Sequence, residues 1–114
     1  MSKARSAAAA RLHESAPVFA ALGDPTRLRL VARLCADGPL SITRLSADVD
    51  VTRQAVTKHL VALSEAGLAR ARREGREQIW QLETRRLALA RQTLDEISGQ
   101  WNSAIARLRA FVED

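Results

Sequence analysis

The chain has 114 residues, enough for one hydrophobic core, and 46% of them are apolar, which is the share expected of a globular protein. No apolar stretch approaches the roughly 20 residues of a membrane-spanning helix, and residues 1–10 lack the apolar core of a secretory signal, so we expect no membrane partner. The net charge of +5 favours a polyanionic partner. The single cysteine, Cys35, excludes an internal disulfide and a cysteine-coordinated zinc site, and it fits a reducing, cytoplasmic location.

The chain begins with an alanine-rich segment, and alanine has the highest helix propensity. We therefore predict a helical N-terminal extension at residues 1–14. Ser15 can cap a helix and Pro17 is tolerated in a first helical turn, so these residues predict that a separate short helix starts here.

The next helix starts at Asp24 and Pro25, because aspartate is a preferred N-cap and proline suits the first helical position. Its apolar residues recur at the spacing of one helix face, namely Leu28, Val31, Ala32 and Cys35, with Leu30 and Leu34 beside them. This spacing predicts a central core helix in which Cys35 is buried and inert. Gly38 and the proline after it predict the end of the helix.

Two helices joined by a short turn follow. Ser41 and Thr52 are both suited to cap a helix, and the residues behind them predict helices at about 41–48 and 52–66. This spacing is typical of a helix-turn-helix. In that arrangement the second helix enters the major groove of DNA through its N-terminal turns.

The start of this second helix is rich in side chains that read DNA. Arg53 can bind O6 and N7 of guanine, and Gln54 can pair with N6 and N7 of adenine. The other polar side chains can donate to phosphates or base edges, although a polar helix face can also be merely solvated. The predicted contacts are Thr52, Arg53, Gln54, Thr57, Lys58 and His59, with Ser41 and Thr43 at the start of the helix before the turn.

A two-stranded hairpin is predicted next, because residues 68–73 and 76–82 alternate in polarity on either side of Gly75. Four arginines stand between residues 70 and 76 against one acidic residue, Glu74. A hairpin with this charge, directly after the second helix, is suited to contact phosphate or the minor groove. The predicted contacts of this wing are Arg70, Arg72, Arg73 and Arg76.

The remaining segment, from residue 84 to 112, has apolar residues in steps of three and four over most of four heptads. Such a seam exceeds what a lone surface helix needs and predicts a dimerisation helix. The predicted interface residues are Leu87, Leu94, Ile97, Trp101, Ala104, Ile105, Leu108 and Phe111.

Three runs carry a family resemblance: ALGDPTRLRL at residues 21–30, QAVTKHL at 54–60 and LSEAGL at 63–68. Together with Gly75 and Arg76, they resemble the ArsR family of bacterial winged-helix repressors. The resemblance implies a homodimer that represses by occupying a palindromic operator, often that of its own promoter. It also implies that the N-terminal and C-terminal helices build the dimer interface.

The sequence departs from the metal-sensing members of that family. Ser41 and Thr43 stand where the family's thiolate motif has cysteines, and a hydroxyl is not a soft-metal ligand. The segment from residue 84 onward contains no histidine, which the family's second metal site uses. We therefore expect no metal and no cofactor, and His59 is expected to pack or to contact phosphate. A small organic effector, a partner protein and no effector at all remain open.

The patterns together predict a mainly α-helical protein with a two-stranded β wing, a winged helix-turn-helix dimerised through its terminal helices. It would form a single domain over residues 1–114, with the winged helix-turn-helix at 15–82 and the dimerisation helix at 84–112. The rival interpretation is a winged-helix module that binds an acidic protein, but the polar face around Arg53 is unlike such a surface. An enzyme is not expected, because no nucleophile and base, carboxylate pair or phosphate loop is present.

Overall fold

A computed structural model describes residues 3–113 of the chain. The predicted domain at 1–114 and its extension at 1–14 therefore begin outside the described residues, and the domain also ends outside them. Within these residues no helix is long and apolar enough to cross a membrane. The elements are α1 (Lys3–Leu22), α2 (Pro25–Asp37), β1 (Leu40–Ser41), α3 (Ile42–Ala47), α4 (Arg53–Glu65), β2 (Ala69–Glu74), β3 (Glu77–Leu82) and α5 (Thr84–Glu113). The predicted fold class, a mainly α-helical winged helix-turn-helix, is confirmed.

The first helix differs from the prediction. α1 runs without a break from Lys3 through Pro17 to Leu22, so no separate helix starts at Ser15. The Ser15 side chain is fully buried, and its hydroxyl lies 2.8 Å from that of Thr93 on α5 instead of capping a helix. Pro17 has no backbone N–H, so one hydrogen bond of α1 is missing at this point. The contact with α5 stabilises the helix there.

The ends of α2 are as predicted. The Asp24 carboxylate accepts from the backbone N–H of Arg27 at 3.0 Å, and Gly38 has a positive φ of 78°. The buried face is not as predicted: it consists of Leu30, Val31 and Leu34, and both Leu28 and Cys35 are exposed. Because α2 is apolar around most of its circumference, periodicity could not tell which side faces the core, and the expectation of a buried Cys35 is wrong.

The second helix of the helix-turn-helix lies on the core through Val56, Leu60 and Leu63. It ends at Glu65, and Gly67, two residues further on, has a φ of 78°. The backbone N–H of Leu68 then donates to the carbonyl of Leu63 at 2.9 Å, a bond that closes the C-terminus and directs the chain into β2. The wing therefore follows α4 after a tight turn.

The three strands form one antiparallel sheet in the order β1-β3-β2. Trp80 on β3 lies opposite Leu40 of β1 and Ala71 of β2, and it is 4% exposed, as expected for a residue that packs the hairpin on the core. The sequence did not predict β1, because two residues are too short to show an alternation. Its pairing with β3 anchors the wing to the start of α3.

Candidate nucleic-acid interface

The outer face of α4 is polar and exposed. Arg53, Gln54 and Lys58 are exposed along it, while the apolar residues of the helix turn inward. Within residues 3–113 the side chains of Arg53 and Lys58 make no hydrogen bond and no ion pair, so both charges are available to a ligand. The sequence placed these residues correctly on the outside of the helix.

The two threonines of this face use part of their hydrogen-bonding capacity within the helix. The Thr52 hydroxyl accepts from the backbone N–H of Ala55 at 3.1 Å and thereby caps α4. The Thr57 hydroxyl donates to the carbonyl of Arg53 at 3.0 Å. Thr52 can still donate, whereas Thr57 keeps only its acceptor capacity and its methyl group for a partner.

His59 lies on a different side of α4. It is five residues after Gln54, which is about 140° around the helix, and it is half-buried against the start of α2. Its Nδ1 is 3.4 Å from Nη1 of Arg27 and 3.8 Å from the carboxylate of Asp24. The structure therefore places His59 in a packing cluster behind the exposed face.

The same cluster determines the ionisation of Asp24. The hydrogen bond from the backbone N–H of Arg27 lowers the pKa of this carboxyl below its usual value, and the charges of His59 and Arg27 lower it further. Partial burial opposes these effects. Asp24 therefore carries its negative charge at the N-terminus of α2, where the helix dipole also favours it.

The start of α3 changes one predicted contact. Ser41 is buried, and its hydroxyl accepts from the backbone N–H of Arg44 at 3.2 Å as the N-cap, so it is not on the surface as predicted. Thr43 is exposed beside it, as is Arg44, which the sequence did not single out. Because the first helix of a helix-turn-helix crosses the DNA backbone, Arg44 joins Thr43 as a candidate phosphate contact.

Two of the four arginines of the wing have a side-chain partner within the hairpin region, and two do not. Arg70 forms an ion pair with Glu83 at 2.9 Å, and Arg72 donates to the side-chain oxygen of Gln81 at 2.6 Å. The side chains of Arg73 and Arg76, on either side of the tip glycine, have no hydrogen bond or ion pair within residues 3–113. These two are therefore the arginines of the wing that are available to phosphate.

The tip of the wing is less uniformly positive than the run of arginines suggested. Glu74 and Glu77 are direct partners across the last position of the hairpin. Arg72 lies 3.5 Å from Glu74 and neutralises part of this charge. Gly75 makes the turn between the two glutamates with a φ of 65°.

A long apolar seam lies exposed on α5. Its first residues pack inward, with Ala90 and Thr93 buried, but the seam emerges from Leu94 onward. Trp101 is 66% exposed and Phe111 is 82% exposed. The other members of the predicted interface are half-buried (Leu87, Ala104, Ile105) or exposed (Ile97, Leu108).

Within residues 3–113 no group of three or more His, Cys, Asp or Glu side chains could hold a metal ion.

The fold and the basic face of α4 define a winged helix-turn-helix regulator that binds DNA. A helix-turn-helix domain family matches residues 22–72. The HTH-type transcriptional regulator Rv2034 of Mycobacterium tuberculosis is 40% identical over 93 residues, which cover 82% of this chain and 83% of that protein. The chain belongs to the ArsR-type winged helix-turn-helix transcriptional regulators. Transcriptional regulation by DNA binding involves no enzymatic reaction.

Two solved structures show the same architecture. An ArsR-like transcriptional regulator from Rhodococcus sp. RHA1 is 33% identical with a TM-score of 0.73, and the match covers 88% of this chain and 93% of that chain. The homodimeric winged helix-turn-helix domain Mb0332 from Mycobacterium bovis is 27% identical with a TM-score of 0.63, and 88% of each chain is covered.

Proposed function

We propose that the protein is a homodimeric repressor that binds a palindromic operator in double-stranded DNA, including one at its own promoter. The observation that carries the proposal is the outer face of α4, where Arg53 and Lys58 are exposed without a partner in residues 3–113 and Gln54 is exposed beside them. A DNA-binding regulator of bacterial type acts where the chromosome is, in the cytoplasm.

The contacts divide into base readers and backbone contacts. Arg53 and Gln54 carry the donors and acceptors that read guanine and adenine in the major groove, one base pair each. Lys58 and Thr52 supply donors to the phosphates beside the helix. On the wing, Arg73 and Arg76 bind the adjacent phosphates of the DNA. Arg70 and Arg72 stabilise the hairpin through their bonds to Glu83 and Gln81.

Dimerisation accounts for the exposed seam of α5. A lone chain in water would leave Trp101, Leu108 and Phe111 exposed on one helix, and burying such side chains contributes about 1.5–3 kcal/mol each. Two chains related by a two-fold axis bury the seam and present two copies of α4. To read one turn of DNA, these two helices should lie about 34 Å apart. Because a two-fold axis relates them, the two half-sites should form an inverted repeat. Bound there, the dimer represses by excluding polymerase.

The decisive experiment is to let the full chain select duplexes from a randomised pool and then to measure affinity by fluorescence anisotropy. We expect an inverted repeat whose half-site centres are about 10 base pairs apart, bound at least a thousandfold more tightly than random DNA. The same repeat should occur upstream of the gene, and the protein should reduce transcription from that DNA in vitro.

Selection of no sequence, together with affinity for an acidic protein surface, would instead favour the module that binds an acidic partner. That alternative has less support, because the outer face of α4 is polar. The proposal assigns no effector. Binding should therefore be measured first with purified protein alone.

A further inference from the structure

The polar face of α4 contains one aliphatic side chain that the base contacts proposed above do not use. Val61 is 44% exposed. It follows Arg53 and Thr57 at intervals of four residues, so the three side chains lie in one row along the helix. The row begins with a cation without a partner in residues 3–113 and ends with two methyl groups.

Thr57 extends the apolar end of this row. Its hydroxyl is held against the helix backbone by the 3.0 Å bond to the carbonyl of Arg53. Because the donor is used there, the outward part of Thr57 is its methyl group. The methyl groups of Thr57 and Val61, one turn apart, make a small apolar strip that follows Arg53 along the helix and passes beside Lys58.

Single exposed aliphatic residues are common on proteins, so exposure alone carries little meaning. The position of Val61 is more informative, because the flanking cations would bring this strip against DNA. In the major groove the apolar group that bases present is the 5-methyl of thymine. We propose that Val61, together with the methyl of Thr57, reads a thymine methyl in each half-site. This inference rests on the proposed function and names a third base-reading position.

The helix geometry restricts where that thymine lies. Val61 is eight residues beyond Arg53, which is about 12 Å along the axis. At about 3.4 Å per base pair, the thymine lies within about four base pairs of the guanine that Arg53 reads. The contact surface ends there, because Glu65, one turn further, is an exposed carboxylate that phosphates repel.

The test uses the duplex that the wild-type protein itself selects. Each thymine is replaced in turn, in both half-sites, by deoxyuridine, which removes the methyl and keeps the base pair. Loss of one buried methyl corresponds to about a fourfold loss of affinity per half-site. We expect about a sixteenfold loss at one symmetric position and little change at the others.

The variant V61A should bind the natural duplex more weakly and should no longer respond to deoxyuridine at that position. The matched control is V51A, since Val51 is 39% exposed in the turn before α4. V51A should keep the full response. Both side chains are exposed, so neither change should alter the melting temperature.

Three results would overturn the inference while leaving specific DNA binding intact. They are a wild-type protein indifferent to every deoxyuridine, a V61A protein that keeps the response, or a V51A protein that loses it. A wild-type protein that selects no duplex at all would instead remove the proposed function, and this inference with it.

Discussion

The hydroxyl oxygens of Ser15 and Thr93 lie 2.8 Å apart, and both side chains are almost fully buried between α1 and α5. Each hydroxyl is the hydrogen-bond partner of the other, one helical turn from the ion pair between Arg11 and Glu96. A buried polar group without a partner costs about 1–3 kcal/mol. This bond therefore contributes to the position of α1 along α5.

The first prediction concerns this hydroxyl pair. Either Ser15→Ala or Thr93→Val should lower the free energy of unfolding by about 1–3 kcal/mol, because each leaves one buried hydroxyl unsatisfied. The double variant should lose clearly less than the sum of the single losses. Urea unfolding at one fixed protein concentration measures all three. Additive losses would mean that the two hydroxyls act independently.

The second prediction concerns pH and Asp24. Its pKa is lower in the folded protein than in the unfolded chain, so the ionised carboxylate stabilises the fold above the usual aspartate value of about 3.9. This stabilisation is lost as the pH falls through the lowered folded pKa. D24N should therefore lose stability less steeply in acid than the parent, while its amide oxygen still caps α2. Unfolding curves above and below pH about 4 test this.

The control for Asp24 is D50N. Asp50 is an exposed carboxylate with no hydrogen bond or ion pair within residues 3–113. If D50N flattened the acid response as much as D24N, the effect would reflect total charge and not the cap of α2.

The third prediction concerns base reading by Arg53. R53A should lose about 1–3 kcal/mol of operator binding and should relax the preference at one base pair. R53K keeps the charge but lacks the planar fork that binds guanine through two hydrogen bonds. It should therefore retain its affinity for random DNA and lose the base preference. Competition among base-substituted duplexes measures both properties, and an R53K protein with the full preference would exclude bidentate reading.

The fourth prediction concerns the wing. R73A and R76A should each reduce the slope of log affinity against log salt by about 0.9 for every phosphate that the variant no longer neutralises. R70A is the matched control on the same hairpin, because Arg70 is already paired with Glu83 at 2.9 Å. Its slope should change less. Equal slopes for all of these proteins would mean that the wing does not contact the backbone.

The fifth prediction concerns self-association. Trp101→Arg should shift the protein to monomer in sedimentation experiments, because it places a charge in the seam of α5 where burial of an indole stabilises the dimer. Leu28→Arg is the control: Leu28 is 52% exposed on α2, a different helix from the seam, and its replacement should leave the state of association unchanged. A dimeric Trp101→Arg protein would mean that the subunits meet elsewhere.

Several local features could be predicted from the sequence because they depend on neighbours in the chain. Asp24, Ser41 and Thr52 each cap the helix that follows them, as their side-chain chemistry predicts. The glycines that follow α2 and form the wing tip were predicted for the same reason: both have a positive φ, which favours glycine. The exposed face around Arg53 followed from the helical period.

The failures concern contacts between distant segments. Cys35 was expected inside, but α2 is apolar on several sides and its buried face is chosen by the helices packed against it. Ser41 was expected on the DNA side, yet its hydroxyl is the cap and its backbone joins the sheet. Arg44 was overlooked, because nothing in its sequence neighbourhood distinguishes it from the other arginines.

The sequence by itself therefore determined the class of fold, the caps of α2, α3 and α4 and the polar outer face of α4, since caps, turns and periods act over a few residues. The tertiary structure decided which residues are free to act on that face. It tied Arg70 and Arg72 into the wing and turned His59 toward Asp24. It also left the apolar seam of α5 exposed from Leu94 onward. These outcomes depend on partners brought together by folding, and local patterns carry no information about such partners.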